Sequence, residues 1–242
     1  MDIYIIFLLM IIVFVGFWIQ TVSGFGAMIF TIPLTMLLID KSLYLPVGLL
    51  MAVLQSIAVV YKDREHILKK DFIILLSLAG IGAPIGLFLG DQIDSKLMNI
   101  GLGLFIIGNS GYALYIILRK INVDRKMKKY HYTFPVMSGF LQAAYGVGGP
   151  LIGTYMDKLT THKRTYRVMI SLYWIVLNPF ILIGYFLRGD INLEHGQLFL
   201  FLFPVVLLAL YVGNRTIDKI SKKGFQIFVH TMLVSIAFTL FF

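Results

Sequence analysis

The chain has 242 residues, 59% of them hydrophobic and 14% charged, and its mean hydropathy is +0.87. Ordinary soluble domains carry about 25% charged residues, and one of this length cannot hide so much apolar surface, so the natural solvent is lipid. The formal net charge is +9 and there is no cysteine. That excludes disulfides, thiolate metal sites and cysteine nucleophiles, and in a lipid-embedded chain the basic excess reports loop placement and anionic headgroups rather than nucleic acid.

In chain order, the apolar N-terminus carries Asp2 instead of a positive region, and its small-residue stretch returns later, so it reads as mature structure rather than a leader. The region 3–39 is broken by Ser23-Gly24-Phe25-Gly26. Three runs follow, 42–61, 72–90 and 97–118, each long enough for a hydrocarbon core that takes about 20 helical residues. A basic linker, 119–130, leads to a second broken region, 131–156, interrupted at Tyr145-Gly146-Val147-Gly148-Gly149-Pro150. Three more spans complete the chain at 168–187, 197–212 and 224–242. Glycine lowers helix propensity and permits positive φ, and a following proline suits the first turn of a new helix. Each broken region therefore reads as two helices.

Basic residues set the topology. The links 62–71, 119–130, 157–167 and 213–223 hold 18 of the 21 lysines and arginines. All four fall on the cytoplasmic side if each broken region enters and returns as a re-entrant hairpin. Both termini are then outside, in the cell membrane. The expected fold is an all-α integral membrane protein of two inverted repeats, 1–118 and 131–242, each a hairpin plus three transmembrane helices. Duplication is visible in the residues. Gln20 and the glycines after it align with Gln142 and its glycines at an offset of 122, and Leu89-Gly90-Asp91-Gln92-Ile93-Asp94 resembles Val212-Gly213-Asn214-Arg215-Thr216-Ile217-Asp218 with one insertion. Inverted repeats whose broken helices meet near the midplane are a recurring transporter architecture.

No carboxylate falls well inside a span, which argues against a cation channel or cation pump. An anion site would have to use neutral donors. The helices that start near Gly26 and at Gly149-Pro150 turn free N–H groups and positive dipole ends toward the breaks. Thr21, Ser23 and Tyr145 add hydroxyls, and Gln20 and Gln142 add amides one turn before each tip. Gln55, Ser56, Asn109, Ser171, Asn178 and His230 are polar span residues that either face a pathway or bond across helices for packing. His66, His131, His162 and His195 show no metal spacing. No nucleotide loop, nucleophile elbow or paired acids support an enzyme or a cofactor. The expected partners are a small anion and membrane lipid, with self-association left open. An anion channel and a non-transporting membrane scaffold are the competing readings.

At Gln20-Thr21-Val22-Ser23-Gly24-Phe25-Gly26-Ala27 and at Gly139 to Pro150 the sequence resembles the sulfite exporter TauE/SafE family of membrane permeases. That resemblance covers essentially the whole chain. It implies transport of small sulfur-containing or carboxylated anions such as sulfite, thiosulfate, sulfonates or sulfoacetate. It places functional weight on Gln20, Ser23, Gly24, Gly26, Gln142, Gly146, Gly148, Gly149 and Pro150. Thr21, Phe25, Tyr145 and Ser171 complete the candidate binding set. Arg167-Val168-Met169-Ile170-Ser171 keeps the basic residue and serine of a family stretch but lacks its small residues between them.

Overall fold

In lipid a backbone must satisfy its own N–H and C=O groups, so long apolar runs fold as helices. The computed structural model describes residues 3–89, 92, 95–121, 127–160, 162–217, 219 and 221–238. Among them are ten α-helices and no strand. The first five are α1 (Ile3–Ser23), α2 (Ala27–Thr35), α3 (Lys41–Asp63), α4 (Lys69–Leu89) and α5 (Ser95–Arg119). The second five are α6 (Thr133–Tyr145), α7 (Gly149–Leu159), α8 (Lys163–Leu187), α9 (Leu193–Thr216) and α10 (Lys222–Ala237). Each expected span overlaps a helix. Gly90, Asp91, Ile93, Asp94 and Asp218 of the second repeat signal lie outside the described residues, as do 122–126 of the linker and 239–242 of the last span.

Five helices are long and apolar enough to cross a membrane among the described residues: α1, α3, α4, α8 and α9. α5 adds a shorter apolar stretch, Gly103–Arg119. The inclusion of α1 is informative. Its 21 residues cover about 32 Å at about 1.5 Å per residue, so the first broken region has one limb of full spanning length and one short limb of nine residues, α2. α8 starts five residues before the span expected from hydropathy, which carries Arg167 into its second turn.

The principal helix contacts are α3 with α8, α5 with α10, α4 with α6 and α1 with α9. Exchanging the first five helices for the second five maps this set onto itself: the first two pairs are unchanged, and the last two are swapped. Small residues set the closest approaches. A Cβ on Gly82 of α4 would stand 1.9 Å from the Val136 carbonyl of α6, and one on Gly139 of α6 would stand 2.2 Å from the Ala79 carbonyl. Without a hydrophobic drive between helices in lipid, such backbone contact is how spans associate.

Candidate functional site

Both breaks are built from the same local device. Gly24 ends α1 with φ +87° and Gly146 ends α6 with φ +72°, a left-handed conformation that side chains disfavour. The Gly24 N–H donates to the Gln20 carbonyl at 2.7 Å, and the Gly146 N–H donates to the Gln142 carbonyl at 2.9 Å. Close neighbours add a second reason for glycine. A Cβ on Gly24 would meet the Arg167 backbone at 3.0 Å, and one on Gly146 would meet the Leu45 side chain at 2.5 Å. Ser23 steadies the first break, its hydroxyl donating to the Ile19 carbonyl at 2.8 Å and bonding the Phe25 backbone.

The two breaks face each other. A Cβ on Gly149 would touch Phe25 and Ile29, and one on Gly146 would also approach Ile32 and Met28. Between them lies a small cavity, about the volume that one water molecule needs. From the first break and the helix after it come Gln20, Gly26, Met28 and Ile29; from the second come Gln142, Gly146 and Gly149. Ala52 of α3 and Trp174 and Asn178 of α8 close the walls. All ten lining residues are buried, and none carries a charge.

The polar groups of this cavity are ordered by one backbone donor. Gly148 N–H donates to Gln142 Oε1 at 2.9 Å, which fixes the amide orientation because a backbone N–H can only donate. Gln142 Nε2 then donates to Asn178 Oδ1 at 3.0 Å. That leaves Asn178 Nδ2 buried with no partner. Gln20 Nε2 is likewise buried and without a partner. An unmade hydrogen bond at a buried donor costs about 1–3 kcal/mol, so both amides call for an acceptor. The positive ends of α2 and α7 meet at the same place. The Trp174 indole N–H is occupied, donating to the Gly24 carbonyl at 2.9 Å.

Beside the first break sits a buried charge cluster that sequence reasoning did not assemble. Arg167 Nη2 lies 2.6 Å from Asp63 Oδ2, with both side chains almost wholly buried. Arg167 Nε donates to the same oxygen at 2.8 Å, and Nη1 donates to the Thr21 carbonyl at 2.9 Å and to Asn214 Oδ1 at 3.3 Å. One guanidinium thus ties α8 to α1, α3 and α9.

Of the thirteen candidate residues, the cavity brings together Gln20, Gly26, Gln142, Gly146 and Gly149. The others surround it. Thr21 donates to the Phe17 carbonyl at 2.8 Å and accepts from Gln55 Nε2 at 2.6 Å. Gly148 offers its carbonyl to Ser138 Oγ at 2.8 Å, and the Pro150 carbonyl accepts from Thr154 Oγ1 at 2.8 Å. Phe25 packs on Gly149 and Gly153, while Tyr145 lies under the Lys41 ammonium, 4.5 Å from its ring centre. Ser171 is buried on α8, outside the lining itself. Trp174, Ala52, Met28 and Ile29 were not singled out by the sequence, and Asn178 only as one polar span residue among several. A signal was present: Ser171, Trp174 and Asn178 follow helical spacing on one face, and Ala52 precedes Trp174 by the same offset of 122 that relates Gln20 to Gln142. Among the described residues no group of histidines and acids could hold a metal.

A bundle with five spanning-length apolar helices is a multi-pass membrane protein. The model of one family, described as sulfite exporter TauE/SafE, matches residues 8–240. The chain therefore belongs to the TauE/SafE family, whose description is that of membrane exporters of sulfur anions. No curated protein and no solved structure matches it.

Proposed function

We propose that the chain is a secondary carrier that moves a small sulfur-containing anion across the cell membrane, binding it between the α2 and α7 N-termini. The observation that carries this reading is the pair of buried, unpartnered amide donors, Gln20 Nε2 and Asn178 Nδ2, on residues lining one cavity. An oxyanion bound there would offer both an acceptor and would gain from the two helix dipoles. The cavity's small volume, about that of one water molecule, favours a carrier over a channel, since a channel needs a continuous path. Its volume also requires the walls to separate before an oxyanion can enter.

The exchange symmetry of the helix contacts supports reading the two halves as repeats, and three spans in each half beside a hairpin whose short limb, α2 or α7, returns toward the face it entered from would invert one against the other. In that arrangement the basic links, with Asp63 and Arg167 among them, are cytoplasmic and both termini are outside. Alternating access then follows from rocking one half against the other about the bound anion.

Reconstituted flux of sulfite or a sulfonate tests the proposal. Saturable uptake with counterflow, abolished by Gly148→Leu while the protein still inserts and purifies, is the expected result. The Gly148 site has no room to adapt, because a Cβ there would lie 2.4 Å from the Ser138 carbonyl. Ohmic current without counterflow would replace the carrier by a channel, and undiminished flux in the variant would displace the site.

A further inference from the structure

We infer that the cavity selects singly charged anions, hydrogensulfite or a sulfonate, over dianions such as sulfate or fully ionised sulfite. This rests on the proposed anion site and concerns which charge state that site takes. Every donor that the lining supplies is neutral: the amides of Gln20 and Asn178, and the backbone N–H groups that open α2 and α7. No lysine, arginine or histidine is among the lining residues. The nearby buried cation is already neutralised. Arg167 holds Asp63 at 2.6 Å and directs Nη1 to the Thr21 carbonyl and Asn214.

Charge then decides. The cost of taking an ion out of water grows with the square of its charge, so a dianion meets about four times the penalty of a monoanion. The attraction of neutral dipoles grows only in proportion to the charge. A site with a bound cation closes that gap; this one has none in its lining. The remaining wall points the same way. Met28, Ile29 and Ala52 are apolar, and Trp174 presents only ring surface because its N–H is held by the Gly24 carbonyl. Those surfaces suit the uncharged substituent of a sulfonate and leave a second anionic oxygen unsolvated.

Methanesulfonate and sulfate present the same three-oxygen face and differ by one charge. Binding of each to the purified full-length protein in detergent, at constant ionic strength with one counter-cation, is the test. The wild type is expected to bind methanesulfonate at least about tenfold more tightly than sulfate, a difference well resolved by titration calorimetry. Gln20→Lys places a cation in the same lining position and is expected to erase or reverse that preference. Gln20→Leu is expected to weaken whichever anion binds at the cavity. Sulfate bound as tightly as methanesulfonate, with both weakened by Gln20→Leu, would overturn the charge selection and leave the anion site standing. Binding of neither anion, or binding indifferent to Gln20→Leu, would overturn the site itself and the selectivity with it.

Discussion

The two glycine breaks share a backbone and differ in what seals them. At the first, the Gly24 turn lies against the Arg167 backbone, and the Arg167 guanidinium reaches back to the Thr21 carbonyl while gripping Asp63. At the second, the corresponding neighbour of Gly146 is Leu45, and Arg167 and Leu45 are again 122 residues apart. A charge cluster closes one break and an aliphatic side chain closes its partner. In both, a glycine approaches the other half of the chain closely, while the chemistry around it differs. If the chain works as the proposed carrier, unequal seals would make its two open states unequal in free energy.

The largest expected effect comes from breaking the polar seal. Arg167→Met leaves Asp63 buried beside Arg164, at 3.4 Å and with that side chain 44% exposed, a contact weakened by solvent. Removing one partner of a buried pair costs about 3–5 kcal/mol, so unfolding in detergent should move by that order. The double variant Arg167→Met, Asp63→Leu removes the stranded carboxylate and should recover most of the loss. A double variant as unstable as Arg167→Met alone would show that the cluster is held by its bonds to Thr21 and Asn214 rather than by charge.

Next in size is the turn beneath that seal. Gly24→Ala combines left-handed strain, about 1–2 kcal/mol, with a methyl 3.0 Å from the Arg167 Cα, which as backbone has little freedom to give way. Gly189 is a natural control, with φ +77° and nothing within 4 Å of an added Cβ. Gly189→Ala should show the strain alone, about 1 kcal/mol, and Gly24→Ala about twice that or more. Equal losses in a thermal melt would mean that the approach to Arg167 relaxes freely.

How much of this was legible in the sequence follows from the range of each interaction. Helix placement depends on local run length and on where basic residues cluster, so the spans from Phe72 and from Ser42 could be drawn within a few residues of α4 and α3. The start of α8 could not, because Lys163, Arg164 and Arg167 read as a link; a buried ion pair brings Arg167 inside. Its partner, Asp63, is 104 residues away, and no local pattern announces such a pairing. The glycine motifs and their two glutamines were legible because they recur. Asn178 was not distinguishable from Gln55 or Ser56 by sequence, since a polar residue in a span looks the same whether it bonds a neighbour or faces a cavity. Gln55 does the former, donating to the Phe17 carbonyl at 2.7 Å and to Thr21.

The smallest expected change in stability gives the sharpest comparison of the two breaks, because Gln20 and Gln142 occupy the same position and use their amides differently. Gln142 is structural as well as lining: its Oε1 takes the Gly148 N–H and its Nε2 holds Asn178. Gln142→Leu strands both partners and should cost about 1–3 kcal/mol, along with anion binding. Gln20 Nε2 has no partner to strand. Gln20→Leu removes a buried unsatisfied donor, so its melting temperature without ligand should stay level or rise slightly. What it should lose is the shift produced by ligand, because an anion that binds only the folded state stabilises it by RT ln(1 + [L]/Kd). A Gln20→Leu protein that melts lower without ligand but keeps its full ligand shift would reverse these roles, making the first glutamine a packing residue and leaving the site to the second break and Asn178.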